Sequence, residues 1–168
     1  MAVGYLPGDL LYAEDLNAWL PYSLSKAVTE QRSSTSITAD AELALTLPVG
    51  TYHVMMRISI ASDSNVAGGG VQTRWSLTSG TTLMGFRHTS GPAPNTTSPS
   101  SQSARRSVNG VGTALAYGAG DGFTNLEEWA RVSVPSGGGT VALLWGRATG
   151  GAWAQVGVGS DMTAIRVA

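Results

Sequence analysis

The sequence predicts an all-β protein, an antiparallel β-sandwich of jelly-roll type preceded by a short N-terminal helix and an extended arm. Three observations predict it. From about residue 41 the apolar residues recur with period two, the periodic segments are short and punctuated by glycine turns, and no helical period occurs after residue 25. About eight or nine short strands at this spacing fit a sandwich or barrel.

The helix comes first. In "AEDLNAWL" Leu16, Trp19 and Leu20 fall at i, i+3 and i+4, one narrow apolar stripe on two turns. Glu14 and Asp15 suit the positive helix start, and Pro21 closes the segment. So short a helix is unstable alone, so its stripe needs a partner surface, either its own sandwich or another subunit. Residues 22–40, "YSLSKAVTEQRSSTSITAD", read as an extended polar arm that spans some 50 Å at about 3.3 Å per residue. The chain thus divides into residues 1–40, helix and attachment arm, and residues 41–168, the sandwich.

The strands follow. "AELALTL" sets Leu43, Leu45 and Leu47 on one face, and Pro48, Val49 and Gly50 turn the chain. In "TYHVMMRISIA" Tyr52, Val54, Met56, Ile58 and Ile60 point inward, with His53, Met55, Arg57 and Ser59 opposite. "VQTRWSLT" alternates Val71, Thr73, Trp75 and Leu77 with polar residues, and Gly85 after Leu83 marks a bulge or bend. Residues 89–107, rich in Ser, Pro and Thr, have almost nothing to bury and are expected to form a long loop. Strand pattern returns in "SVNGVGTALAYG", "FTNLEEWARVSVP", "TVALLWGRA", "AWAQVGVG" and "MTAIRVA", separated by turns at 118–122, 136–139 and 149–151.

Composition narrows the function. A chain of 168 residues suits one domain, with or without an arm, and its lack of cysteine removes disulfides and thiolate chemistry. A net charge of −1 offers no broad positive field, so no nucleic-acid partner is expected. No run of about 18 apolar residues and no basic, apolar leader is visible, so neither a membrane partner nor secretion is expected. Nine of the ten cations are Arg and one, Lys26, is Lys, which suits fixed bidentate contacts.

Residues for catalysis are sparse. His53 and His88 are the two histidines, and no G-x-S-x-G elbow accompanies them. Glu127 and Glu128 are neighbours in a strand and point to opposite faces, so they cannot form one acid/base pair. One suits a solvated face and the other a buried ion pair or subunit contact. Asp63, Asn65, Asp121 and Asn125 sit in loops explained by turn chemistry and match no calcium loop. No catalytic residue, metal site or cofactor is expected, and the chain reads as a non-enzyme. Trp75 and Trp145 share faces with aliphatic residues and read as core or interface, whereas Trp129 and Trp153 could instead stack on a sugar ring beside the 89–107 loop. Arg105 and Arg106, in that loop, suit either an acidic partner surface or a solvated tip.

The opening "PGDLLYAEDLNAWLP" resembles that of many small virion proteins from tailed phages of actinobacteria, where a G-x-x-[LV]-x-A-x-D-[LM]-N-A motif precedes a polar arm. "RSSTSITADAELALTLPVGTYHVMMRI" and the closing "VALLWGRATGGAWAQVGVGSDMTAIRVA" are similar to the next and last parts of that family, while residues 79–125 match none of it. Tyr12 stands where the family tends to carry a Ser or Thr able to cap the helix. The resemblance implies a virion structural protein, made in the host cytoplasm and carried on the outside of the particle. It implies an oligomer, a homotrimer, that binds the major capsid protein and stabilises the shell as a decoration protein. Leu16, Trp19, Leu20, Arg105 and Arg106 are then the candidate docking residues. The alternative is a tail-associated adhesion module, a minor tail protein that takes a host-surface glycan.

Overall fold

The structure, a computed structural model, describes residues 20–63, 69–93, 104–148 and 150–167. These form thirteen strands: β1 (Tyr22–Ser25), β2 (Glu30–Arg32), β3 (Thr38–Leu47), β4 (Gly50–Ser62), β5 (Gly70–Leu77), β6 (Thr82–Leu83), β7 (Arg87–Pro92), β8 (Ala104–Asn109), β9 (Leu115–Gly118), β10 (Thr124–Val134), β11 (Gly139–Arg147), β12 (Ala154–Val156) and β13 (Asp161–Arg166). Every pairing is antiparallel. The larger, nine-stranded sheet runs β1-β13-β4-β10-β7-β8, with β12 and β2 continuing beside β4 and β6 beside β10. The smaller sheet runs β3-β11-β5-β9. The chain crosses between sheets at most connections, so Pro48 and Val49 make a corner between β3 and β4 rather than a hairpin.

The two inner faces make one core, because period two sends alternate side chains to the same side. Leu43, Leu45 and Leu47 of β3, Tyr52, Val54, Met56, Ile58 and Ile60 of β4, and Leu126, Ala130, Val132 and Val134 of β10 are all buried in it. Trp75 and Trp145 lie inside as well, at 2% and 0% exposure. At Gly70, φ is +149°, and a Cβ would stand 1.9 Å from the Tyr117 carbonyl oxygen. Only glycine lets β5 start so close to β9.

Three expectations need correction. The strand count exceeds eight or nine, because β1 and β2 lie in the expected arm, β6 and β7 are separated at residues 84–86, and β8 and β9 are separated at residues 110–114. The 89–107 stretch is not a single loop, since Arg87–Pro92 and Ala104–Asn109 pair as a hairpin at the sheet edge. Its inward positions are Arg87, Thr89 and Gly91, so an apolar pattern could not reveal it. A Cβ on Gly91 would lie 2.8 Å from Leu126 Cβ and 2.9 Å from the Tyr117 ring, so the ring of β9 fills the space a side chain would need.

The third correction concerns the arm. Residues 22–40 are built into the sandwich, which therefore begins at Tyr22 rather than at residue 41. β1 pairs β13 and β2 pairs β12. Tyr22 meets Tyr52 edge to face at 5.9 Å. Lys26, 3% exposed, places Nζ 2.9 and 3.0 Å from the two Asp40 oxygens. The Trp145 indole N–H donates to Asp40 at 2.9 Å. Arg32 lies over the Trp145 ring, 4.0 Å from its centre, and its Nη1 donates to the Trp145 carbonyl at 2.6 Å. The expected helix, with Leu16 and Trp19, lies outside the described residues.

Candidate functional site

The outward face of the larger sheet carries a continuous row of side chains. Register sets Val108 of β8 against His88 of β7, His88 against Trp129 of β10, and Trp129 against Met55 of β4. The His88 and Trp129 rings stack at 5.5 Å with planes 11° apart. Beside this row a depression of about 550 Å³ is lined by His53, Met84, Phe86, His88, Trp129 and Arg131, with Val167 at its margin. Phe86 is 60% exposed, and Met84, Val108, Ile165 and Val167 are each about half exposed. Ile165 pairs His53 and extends the apolar surface across β13. Gly85, at φ +96°, turns the chain between β6 and β7 and presents Met84 and Phe86 at the depression. Contiguous exposed apolar surface of this kind marks interaction sites.

Inside the sandwich the charged groups are committed to structure. Glu128 is fully buried, and its Oε1 accepts from the Thr73 hydroxyl and, at 2.8 Å, from the Tyr117 phenol. Its Oε2 accepts from the Trp75 indole at 2.5 Å and lies 3.8 Å from Arg87 Nη1. Arg87, equally buried, donates from Nη2 to the Thr113 carbonyl at 2.8 Å. Burial, and then the Glu128 charge, push the Tyr117 phenol far above its ordinary value. At the other cluster, burial alone would lower the Lys26 ammonium, but its bonds to Asp40 and Glu42 outweigh that and raise it. Burial would likewise raise Asp40, yet Lys26, the Glu42 N–H and the Trp145 indole hold it below the usual carboxylate range. Neither buried carboxylate is open to a substrate. Among the described residues no three His, Asp or Glu converge as a metal cage.

Of the docking residues expected from sequence, Leu20, Arg105 and Arg106 are described. Leu16 and Trp19 lie outside the described residues, and Leu20, two residues before β1, is 58% exposed. Arg105 and Arg106 belong to β8, opposite Gly91 and Ser90. β1 and β8 end the strand order of the larger sheet, so Leu20 and the Arg105–Arg106 pair sit towards opposite edges. Trp129 does reach the surface, half-buried on the outward face, and Trp153 is also half-buried. Sequence reasoning missed Met84, Phe86, Val108, Ile165 and Val167. The available signal was apolar residues at outward positions of strand periods, as at Ile165, or just before a strand, as at Phe86. A comparison with protein families finds none that matches the chain, and one with curated proteins finds no match.

Proposed function

We propose that this chain is a structural protein of a phage particle, an exterior decoration module that binds the major capsid protein and stabilises the shell as a homotrimer, with no catalytic role. The strand order carries the reading. β3-β11-β5-β9 facing β4-β10-β7-β8 is the arrangement of an eight-stranded jelly roll, with β13, β1, β12 and β2 added beside β4. Viral capsid and lectin domains share that architecture. The outward apolar row supports it further, since Trp129 and Phe86 are the kind of residue that anchors an interface. The opening motif, with its polar continuation, adds the family resemblance.

The test is to add the purified protein to undecorated capsids and follow co-sedimentation and capsid melting. Binding with a raised melting temperature, weakened roughly thirtyfold by Phe86→Ala, the equivalent of about 2 kcal/mol, is the expected result. No co-sedimentation and unchanged melting sinks the reading. Light scattering of the bound and free protein reports the trimer.

A second reading, a tail-associated adhesion module, rests on the Trp129 and His88 stack that lines the depression. Pull-down with host cell wall decides between the two. Binding to wall glycan that Trp129→Ala abolishes, with no capsid binding, favours adhesion.

A further inference from the structure

Nine of the ten cations in the chain are Arg and one is Lys, and that one lysine is buried. An ion pair alone does not call for lysine, since a guanidinium pairs with a carboxylate at least as well. Lysine adds a nucleophile, because an amine that gives up a proton attacks a carbonyl carbon and a guanidinium does not.

The surroundings of Lys26 supply the other requirements of such an attack. Its Nζ touches both oxygens of the Asp40 carboxyl, at 2.9 and 3.0 Å, so the carbon between them is within reach. Rotation about the lysine Cδ–Cε bond carries Nζ from this resting pose over the carboxyl face. Both side chains are shut away from water, at 1% and 0% exposure. Asp40 Oδ1 also accepts from the Glu42 and Leu43 backbone N–H groups at 2.9 and 3.0 Å, two donors placed to hold the negative oxygen of a tetrahedral intermediate. Oδ2 accepts from the Trp145 indole at 2.9 Å. Glu42 Oε2 lies 3.1 Å from Nζ, and the Ala27 and Val28 N–H groups fix its carboxylate there as a base beside the amine. Glu30 stands further off, at 3.6 Å, and pairs with Arg32.

We propose that Lys26 and Asp40 condense to an amide, a covalent cross-link between the end of β1 in the larger sheet and β3 in the smaller one. One ammonium proton passes to Asp40 Oδ2, and the freed lone pair of Nζ forms the Nζ–Cγ bond as charge moves to Oδ1. Glu42 takes a second proton from Nζ, and that proton leaves with Oδ2 as water when the Cγ–Oδ2 bond breaks. An ammonium and a carboxylate thus become one neutral amide and one water, with no oxidant or other reactant. The exchange removes two charges from an interior where pairing recovers little of their desolvation cost. Against burial, the bonds to Asp40 and Glu42 keep the ammonium protonated, so the reactive amine is a minor state and the bond forms slowly after folding. The pH dependence of the ion pair belongs to the chain before the bond forms.

The bond closes residues 26–40 into a ring that contains β2. A pull on the residues before Lys26 then passes through Asp40 into β3 and does not unzip β2 from β12. This holds whether or not the chain sits on a capsid.

The test is intact-mass spectrometry of the full-length chain, denatured at once after folding and again after days of storage. The expected mass falls below that of the sequence by one water. Trypsin, which cleaves after Arg32 but no longer after Lys26, releases a branched peptide joining Lys26 to Asp40. Lys26→Arg keeps the charge and abolishes both signals. Should that variant misfold, Glu42→Gln, whose amide oxygen still accepts from Ala27, forms the bond at least tenfold more slowly. The natural chain at its full mass after storage, water loss that persists in Lys26→Arg, or an equal rate in Glu42→Gln overturns the proposal. Water lost as a succinimide at Asp121, before Gly122, gives the same mass without the branched peptide and overturns it too.

Discussion

Glu128 lies between the sheets with no solvent exposure, bonded to Thr73, Trp75 and Tyr117 and paired with Arg87. A buried ion pair adds little against an apolar replacement, but removing one member leaves the other uncompensated. Glu128→Ala is therefore expected to cost about 3–5 kcal/mol, measured by urea unfolding. Arg87→Met added to it should recover only part of the loss, because the Thr73, Trp75 and Tyr117 donors stay unpaired. Asp40 and Lys26 make a different prediction, about pH. Asp40 is held low, so its contribution is present above the unfolded value of about 3.9 and lost as pH falls through its depressed native value. Lys26 is held high, so its contribution is present below about 10.4 and lost as pH rises through its raised native value. The stability gap between the natural protein and Asp40→Asn should be flat from about pH 5 to pH 9 and narrow on further acidification. A gap unchanged down to pH 2 would contradict the Lys26 and Asp40 assignment.

At the scale of elements, the β7–β8 hairpin shows how a strand forms without apolar residues. Arg87 and Thr89 turn inward towards the Glu128 cluster, and Gly91 leaves room for the Tyr117 ring. Gly91→Val is expected to destabilise the fold by about 1–3 kcal/mol through overpacking, read as a lower urea midpoint with an unchanged slope. Sequence period failed here for a physical reason: it reports burial of apolar groups, and this strand buries a guanidinium, a hydroxyl and a bare backbone. It succeeded for β4 and β10, whose inward positions are apolar apart from the single Glu128. Even there the opposed facing of Glu127 and Glu128 was legible, one on a solvated face and one buried, and the structure decides that Glu128 is the buried one, beside Arg87.

For the whole molecule, the placement of residues 22–40 separates stability from docking. Deleting residues 1–21 removes none of the β1 or β2 pairings and should leave the melting temperature of the sandwich nearly unchanged. Deleting residues 1–33 removes both strands, exposes Tyr52 and strips Lys26 from Asp40, and should lower it sharply. If the first deletion abolishes capsid co-sedimentation while melting is retained, the opening segment is the docking piece. If it unfolds the sandwich, that segment is core.

The sequence by itself determined the all-β class, the inward rows of β3, β4 and β5, a core or interface place for Trp75 and Trp145, and the turn glycines. These follow from local rules, alternation of side chains and tolerance of positive φ, which need no knowledge of distant partners. Tertiary structure alone decided that the arm folds back on its own sheet, that Arg87 meets Glu128, and that the exposed apolar residues gather around Trp129. Each of these depends on residues far apart in the chain meeting through strand order, and a pairing across 41 positions, as between Arg87 and Glu128, leaves no mark on the sequence near either one.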